Sequence, residues 1–477
     1  MAAALQICDL IRSMALRLAD HPTPPGPRSW LPGKFLRPMQ RNATGFLLEL
    51  SRRYGDAVYF KIGPRRLYFF NHPDQVREIL VANDRSFMKS LVIQRTKMIL
   101  GEGLLTSEGA FHLRQRRLAQ PAFHRDRIRR YGEVMVDFSM RMREKWRDGQ
   151  QLDLHHEMMR LTLAVVAKTL FDADVEEEAD EIGGALTELM MMFPLLMNPL
   201  ADLLMKLPLP QVKRFRRSLA RLDRTMYEVI AQRRSSGEDR GDLLSMLLLA
   251  QDTEGDSGGM TDLQVRDEAM TLFLAGHETT ANALTWTWYL LSSNPDAERE
   301  MHRELDEVLQ GSSPSPDDYP RLRYTEMVLA ESMRLYPPAW GLGRTALEEV
   351  EIGGYSLPKS AVVVLSQWVT HRDPRFWPDP ERFDPRRFTD EAKAARPKFA
   401  YFPFGAGSRI CIGESFAWME GVLILATIAQ RWKFVRESKE KVEPQPLITL
   451  RPKGAVTMRA VRRSSQPGTD NRGPSDA

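Results

Sequence analysis

Only two cysteines occur in the 477 residues, and one of them, Cys411, stands where chemistry is possible. Residues 404–413 read Phe-Gly-Ala-Gly-Ser-Arg-Ile-Cys-Ile-Gly, so Phe404, Gly407, Arg409 and Gly413 bracket the sulfur just ahead of a helical run over 414–432. A thiol at a helix N-terminus meets the positive end of the helix dipole and free backbone N–H groups, which favour the thiolate and lower its pKa. Such a thiolate binds a soft metal. One thiolate cannot complete a zinc or iron–sulfur site, and no Cys-x-x-Cys pair exists, so the metal has to bring most of its own ligands. The bland alternative is a cysteine buried as a small hydrophobe. Four bracketing residues in register weigh against it.

A second constellation lies on a helix. Thr261 and Gln264 form a capping-box signal, apolar residues recur behind them, and Asn294-Pro295 is a stop signal. About thirty residues at ~1.5 Å each make a rod of roughly 45 Å. In its middle stands Ala275-Gly276-His277-Glu278-Thr279-Thr280. Gly276 costs about 1 kcal/mol in a helix interior, which predicts that a flat ligand lies close to the backbone there. Glu278 and Thr279 offer an acid and an alcohol, groups able to relay protons through ordered water. A simpler alternative is that Thr279 donates its hydroxyl back to the Ala275 carbonyl. His112 and Arg116 form a third pair, four apart on one face of a basic helix that opens at Gly109 and ends before Pro121.

The cysteine loop resembles the haem-ligating loop of the cytochrome P-450 superfamily, the haem-thiolate monooxygenases, and the Ala275–Thr280 stretch is similar to that family's oxygen-binding motif. The likeness spans about residues 24–459. It implies a mainly α, single-domain fold with a small β portion, divided as an N-terminal helical segment over 1–21, the haem domain over 22–460 and a disordered tail over 461–477. It implies one haem b with iron on Cys411, proton delivery by Glu278 and Thr279, and cofactor contacts from His112, Arg116, Arg344, Phe404, Arg409 and Gly413. His112 stands where many relatives carry Trp. Phe273, Ala275, Gly276, Ala339, Trp340, Leu342 and Leu447 are expected to line the substrate pocket. Glu331 and Arg334, at the Glu-x-x-Arg spacing, are expected to pair and to be joined by Arg382 behind the cysteine loop.

The elements that must position these residues are legible in outline. Residues 57–62 and 66–70 are β-branched and aromatic runs joined at Gly63-Pro64, a hairpin signal. Residues 87–105 show weak periodicity and read as a long loop. Residues 186–210 are unusually rich in Met and Leu, which suits a deformable lid over an apolar ligand. A short hairpin turns at Gly353-Gly354, and an apolar strand follows over 361–366.

Composition limits the remaining readings. The formal net charge of +4 does not point to a general nucleic-acid binder. Two distant cysteines give no disulfide framework and suit a reducing cytoplasm. Asp9, Arg12, Arg17 and Asp20 interrupt the N-terminus, so no transmembrane anchor is expected, while Ile7, Leu10, Ile11, Met14 and Leu18 share a face that allows peripheral membrane contact. The resemblance implies O2, a small apolar substrate and electrons from a separate ferredoxin/ferredoxin reductase or flavodoxin-type donor. Arg114, Arg117, Arg125, Arg127, Arg129 and Arg130 are the expected docking charge, and a monomer is expected. Alternatives are a peroxide-driven or rearranging haem-thiolate enzyme, whose members often lack the acid and alcohol pair, and a haem-binding sensor without turnover.

Overall fold

The organising element is the helix Asp262–Leu291, thirty residues long. Both arms of its capping box form: Gln264 N–H donates to Thr261 Oγ1 at 3.2 Å, and Thr261 N–H donates to Gln264 Oε1 at 2.9 Å. From Val265 onward almost every residue is buried, as expected of a helix that runs through a core. Helices Leu154–Phe171, Arg323–Leu335 and Glu414–Ala429 pack against it. A Cβ on Gly276 would lie 3.1 Å from Val166 Cγ2 on the first of these. The missing side chain therefore lets two helices meet, while Gly276 itself stays half-exposed on its other side.

This computed structural model describes residues 23–29, 34–174, 179–196, 198, 201–251 and 258–463. The N-terminal stripe, Cys8, Met197, Leu200, residues 252–257 and the tail beyond 463 lie outside that set.

A five-stranded sheet forms the second layer. Ala57–Ile62 and Arg65–Phe70 pair antiparallel with Ala57 opposite Phe70. Arg65–Phe70 then runs parallel to Val362–Leu365, which pairs antiparallel with Leu342–Ala346, and Phe87–Lys89 closes the edge. Phe70, Phe87, Val363 and Leu365 pack a small core of their own, separate from the helical one. In the last pairing Lys89 stands directly opposite Arg344. The Gly353-Gly354 hairpin forms as Val350–Ile352 with Tyr355–Leu357.

Two stretches differ from their sequence reading. Residues 87–105 contain the strand Phe87–Lys89 and the helices Leu91–Arg95 and Lys97–Leu100. Elements of three to five residues are too short to show a period. The final strand, Thr457–Arg462, pairs with Trp432–Arg436 and Gln151–Asp153 and runs two residues past the expected boundary. The Met-rich region is broken into Ala179–Met191 and two single turns, Phe193–Leu196 and Ala201–Leu204, ahead of Pro210–Ser236. Among the described residues no helix is long and apolar enough to cross a membrane.

Candidate active site

The cysteine loop is pinned from both sides. Gly407 has φ +72°, and a Cβ there would fall 1.8 Å from the Leu80 carbonyl oxygen, so the position admits only glycine. Arg409 donates to the carbonyls of Asp84 at 2.8 Å and Phe87 at 2.9 Å and pairs with Glu108 at 3.1 Å. Cys411 N–H donates to the Phe404 carbonyl at 3.0 Å, and Arg116 Nη1 donates to the Ile410 carbonyl at 2.7 Å. Phe404 packs against Trp418 with ring centres 5.7 Å apart. Gly413 caps the helix Glu414–Ala429, and a Cβ there would sit 4.0 Å from Cys411 Sγ.

Cys411 has open space beside its side chain. Its thiol is nonetheless pushed up to about 11, because the protein packed around the sulfur on its other sides, with the Glu414 charge adding to the rise, outweighs the Gly413 N–H and the Arg116 charge that favour the thiolate. The expectation of a lowered thiol pKa is therefore corrected for the chain by itself. The positive charge of a bound metal reverses the balance, since a coordinated thiol is deprotonated outright.

Above the loop lies a cluster of cations. Arg344 is buried, and burial followed by repulsion from Arg409 lowers it to about 10. His112 is buried too, and burial followed by the Lys89, Arg409 and Arg116 charges drives it to about 3, so the ring is neutral. Its Nδ1 lies 3.3 Å from Lys89 Nζ and 3.2 Å from Ser107 Oγ, while its Nε2 is buried without a partner. An orphaned buried nitrogen beside two guanidinium groups suits the carboxylates of an anionic cofactor. The residues present thus fit a haem, with Cys411 for the iron and His112, Arg344 and Arg409 for its carboxylates.

On the long helix, Ala275 is exposed and Gly276 and Thr279 are half-exposed, although the rest of the helix beyond its first turn is buried. The helix is therefore open at this one place. Thr279 Oγ1 donates to the Ala275 carbonyl at 2.6 Å. Glu278 points elsewhere, accepting from Thr449 Oγ1 at 2.6 Å with Arg451 Nε at 3.4 Å. Burial raises its pKa, and Arg451, Thr449 and Asn282 counter that rise. Asn282 Nδ2 donates to Thr449 at 3.2 Å, and its Oδ1 lies 3.2 Å from His155 Nε2, so Glu278 belongs to a buried polar network rather than touching Thr279.

The sequence profile described as Cytochrome P450 matches residues 23–458. This chain belongs to the cytochrome P450 family. It is 42% identical to cyclooctatin synthase of Streptomyces melanosporofaciens over 86% of this chain and 90% of that one. Identity is 36% to pentalenene oxygenase of Streptomyces avermitilis, over 86% of this chain and 91% of the relative. The crystal structure of cytochrome P450DA heme domain superposes with a TM-score of 0.84 at 27% identity, over 93% of this chain and 98% of that one. The fold is that of a P450, and the protein is a haem-iron P450 monooxygenase.

Behind the P450 cysteine loop, Glu331 and Arg334 form a fully buried bidentate pair at 2.6 and 2.8 Å. Arg334 also donates to the carbonyls of His371, Pro380 and Arg382. Arg382 contributes that carbonyl only; its side chain is exposed, and the second guanidinium near Glu331 is Arg387 Nε at 3.5 Å. The expected role of the Arg382 side chain is corrected accordingly. Trp340 Nε1 donates to the Leu447 carbonyl at 2.9 Å, Leu342 lies near Gly405, and Ala339 is half-buried beside them. Phe273 packs edge-on against Phe171, 5.8 Å away, and is buried there rather than on the open face. Lys89 and Glu268 escaped the sequence reading. Glu268 accepts from Leu104 N–H at 3.0 Å and Gln115 Nε2 at 3.1 Å, and burial raises it to about 7.

Proposed function

We propose that this P450 holds haem b between the Cys411 loop and the Ala275–Thr279 opening and inserts one oxygen atom of O2 into an apolar, terpenoid-class or fatty-acid-like substrate. The observation that carries the haem placement is the set of unsatisfied groups: the open Cys411 thiol and the orphaned His112 nitrogen within reach of the Arg409 and Arg116 charges. Bound haem supplies dioxygen binding, and electron donation from the thiolate favours O–O cleavage. Arg116 and the Gly413 N–H steady the negative charge on Cys411 Sγ. Thr279 Oγ1, its own proton held by the Ala275 carbonyl, presents its lone pairs to the open side of the helix, where they accept a hydrogen bond and order the water that carries protons. Glu278 and its network keep the neighbouring helical turn rigid and form a proton store one residue away.

Support for the substrate class comes from the lid and from the relatives. Met190, Met192, Leu196 and Met205 are buried, and Met98, Leu196, Met205, Phe215 and Leu219, together with the cations Arg95, Lys206 and Arg216, line a hollow of about 510 Å³. The relatives' names, cyclooctat-9-en-7-ol 5-monooxygenase and pentalenene oxygenase, specify an alkenol and an alkene, both of low polarity. Electrons are assigned to a separate acidic ferredoxin- or flavodoxin-type protein. Arg117, His124, Arg127 and Arg130 line a surface hollow of about 760 Å³, on the same segment of chain as Arg116, whose guanidinium rests on the residue before Cys411. Arg129 is paired with Asp317 and Arg127 is bonded to the Gly241 carbonyl, so of these three Arg130 is the better docking candidate.

The ferrous–CO complex of the wild type is expected to show the red-shifted Soret band of thiolate ligation, and Cys411→Ala to lose it. An unshifted wild-type band would sink the assignment. A panel of terpene hydrocarbons, their alcohols and fatty acids, scored by the ligand-induced Soret shift, separates the substrate classes.

A further inference from the structure

We infer that Lys89 is a positioning residue that dictates which nitrogen of His112 carries the proton, and thereby makes His112 a hydrogen-bond donor to a haem carboxylate. The inference rests on the haem reading above and adds to it a residue that none of the motifs contains.

Lys89 lies on the edge strand Phe87–Lys89 with only 6% of its surface exposed. Its Nζ has three neighbours within hydrogen-bond distance: the Leu104 carbonyl at 2.9 Å, the Ser107 carbonyl at 2.7 Å and His112 Nδ1 at 3.3 Å. An ammonium has three donors and no acceptor. Two of its hydrogens are taken by carbonyls that can only accept, so the third faces the ring. A proton on Nδ1 would set N–H against N–H, so Nδ1 must be the acceptor. Ser107 Oγ, 3.2 Å from the same nitrogen, rotates to suit either tautomer and decides nothing.

A neutral imidazole with a bare Nδ1 carries its proton on Nε2. Nε2 is the buried atom for which the described residues provide no partner. Its N–H is therefore left for an acceptor that the described residues do not supply, and Arg409 and Arg116 nearby call for that acceptor to be anionic. Support runs in both directions. Burial pulls Lys89 down to about 7, against Glu108, which raises it; a haem carboxylate at Nε2 adds negative charge that holds Lys89 as the ammonium the arrangement needs. A tryptophan at position 112 would carry its N–H permanently and require no such partner. Histidine has two tautomers, and here a lysine selects one.

The test is a double-mutant cycle on purified ferric holoprotein, with Lys89→Met, His112→Phe and the double variant, read as the rate of haem transfer to excess apomyoglobin. Loss of a charge-assisted hydrogen bond is expected to speed transfer by about tenfold in either single variant. In the double variant the rate should exceed that of His112→Phe alone by less than about twofold, because Lys89 acts through the ring. The resonance Raman propionate-bending band should shift alike in both single variants. If Lys89→Met only unsettles the Leu104 and Ser107 carbonyls, its effect persists undiminished in the His112→Phe background and the two effects multiply, which overturns the inference. A Lys89→Met protein with wild-type transfer rate and Raman band overturns it as well. If Lys89→Met yields no folded holoprotein, Lys89→Gln, which keeps donors for the carbonyls but is too short for the ring, goes through the same cycle with the same two outcomes. A wild type without a Soret band would overturn the haem reading itself, a result distinct from any pattern among variants.

Discussion

Thr279 sits at the one place where the long helix is open, and its hydroxyl already has an acceptor in the Ala275 carbonyl. That bond holds the oxygen's lone pairs toward the open side, so the structural and catalytic readings of Thr279 coexist. Thr279→Ala should keep substrate binding and raise peroxide released per NAD(P)H consumed, with product falling by about 10²-fold; unchanged coupling would place the proton path elsewhere. A second residue, Glu420, is buried on the helix behind the cysteine with neither carboxyl oxygen in a formed hydrogen bond, Thr280 being the polar group that faces it. Burial raises it to about 8. A raised carboxyl favours the folded state below its unfolded pKa of 4.5 and loses that contribution as pH rises through 8. Glu420→Gln should therefore melt higher than the wild type at pH 8.5, by roughly a few degrees, with the gap closing toward pH 5 in parallel thermal scans. The bracketed cysteine could be read from the sequence because its neighbours have fixed types. Lys89, Glu268 and Glu420 could not, since a lone charged residue in a string looks the same whether it faces water or the core.

Among the elements, the clearest in the sequence were those that carry their own signals. The long helix forms over Asp262–Leu291 with the Thr261 and Gln264 cap where the residues call for it. The Gly353-Gly354 hairpin forms where it should as well. The stretch over residues 87–105 has no such signal, because its short pieces are tied together by the Lys89 side chain and held from outside by Glu108 and Glu268. The clamp behind the cysteine shows the same limit: its Glu-x-x-Arg spacing was visible, whereas the side chain that joins it, Arg387, comes from a short 3-10 turn, Pro385–Phe388. Arg334→Ala should cost about 3–5 kcal/mol in urea unfolding, since it strands the buried Glu331 carboxylate. Arg382→Ala should cost within about 0.5 kcal/mol, because only its backbone takes part. Equal losses from the two would refute the corrected assignment.

At the scale of the molecule, two layers are held in register by buried charge. The strand pairing sets Lys89 directly across from Arg344, with Arg409 near enough to both to repel them and Glu108 as partial compensation. Like charges facing each other across strands weaken a sheet, and these are out of reach of water. Apoprotein should melt below holoprotein, and added haem should raise the midpoint by an amount that grows with its concentration, about 2.7 kcal/mol at a hundredfold excess over Kd. A midpoint indifferent to haem would show that the folded protein does not bind it. The consequence extends to how the protein is made. A chain translated while porphyrin is scarce carries an unneutralised seam between its layers and spends longer partly open, where proteases act on it. The supply of haem would then bear on how much of this enzyme a cell accumulates.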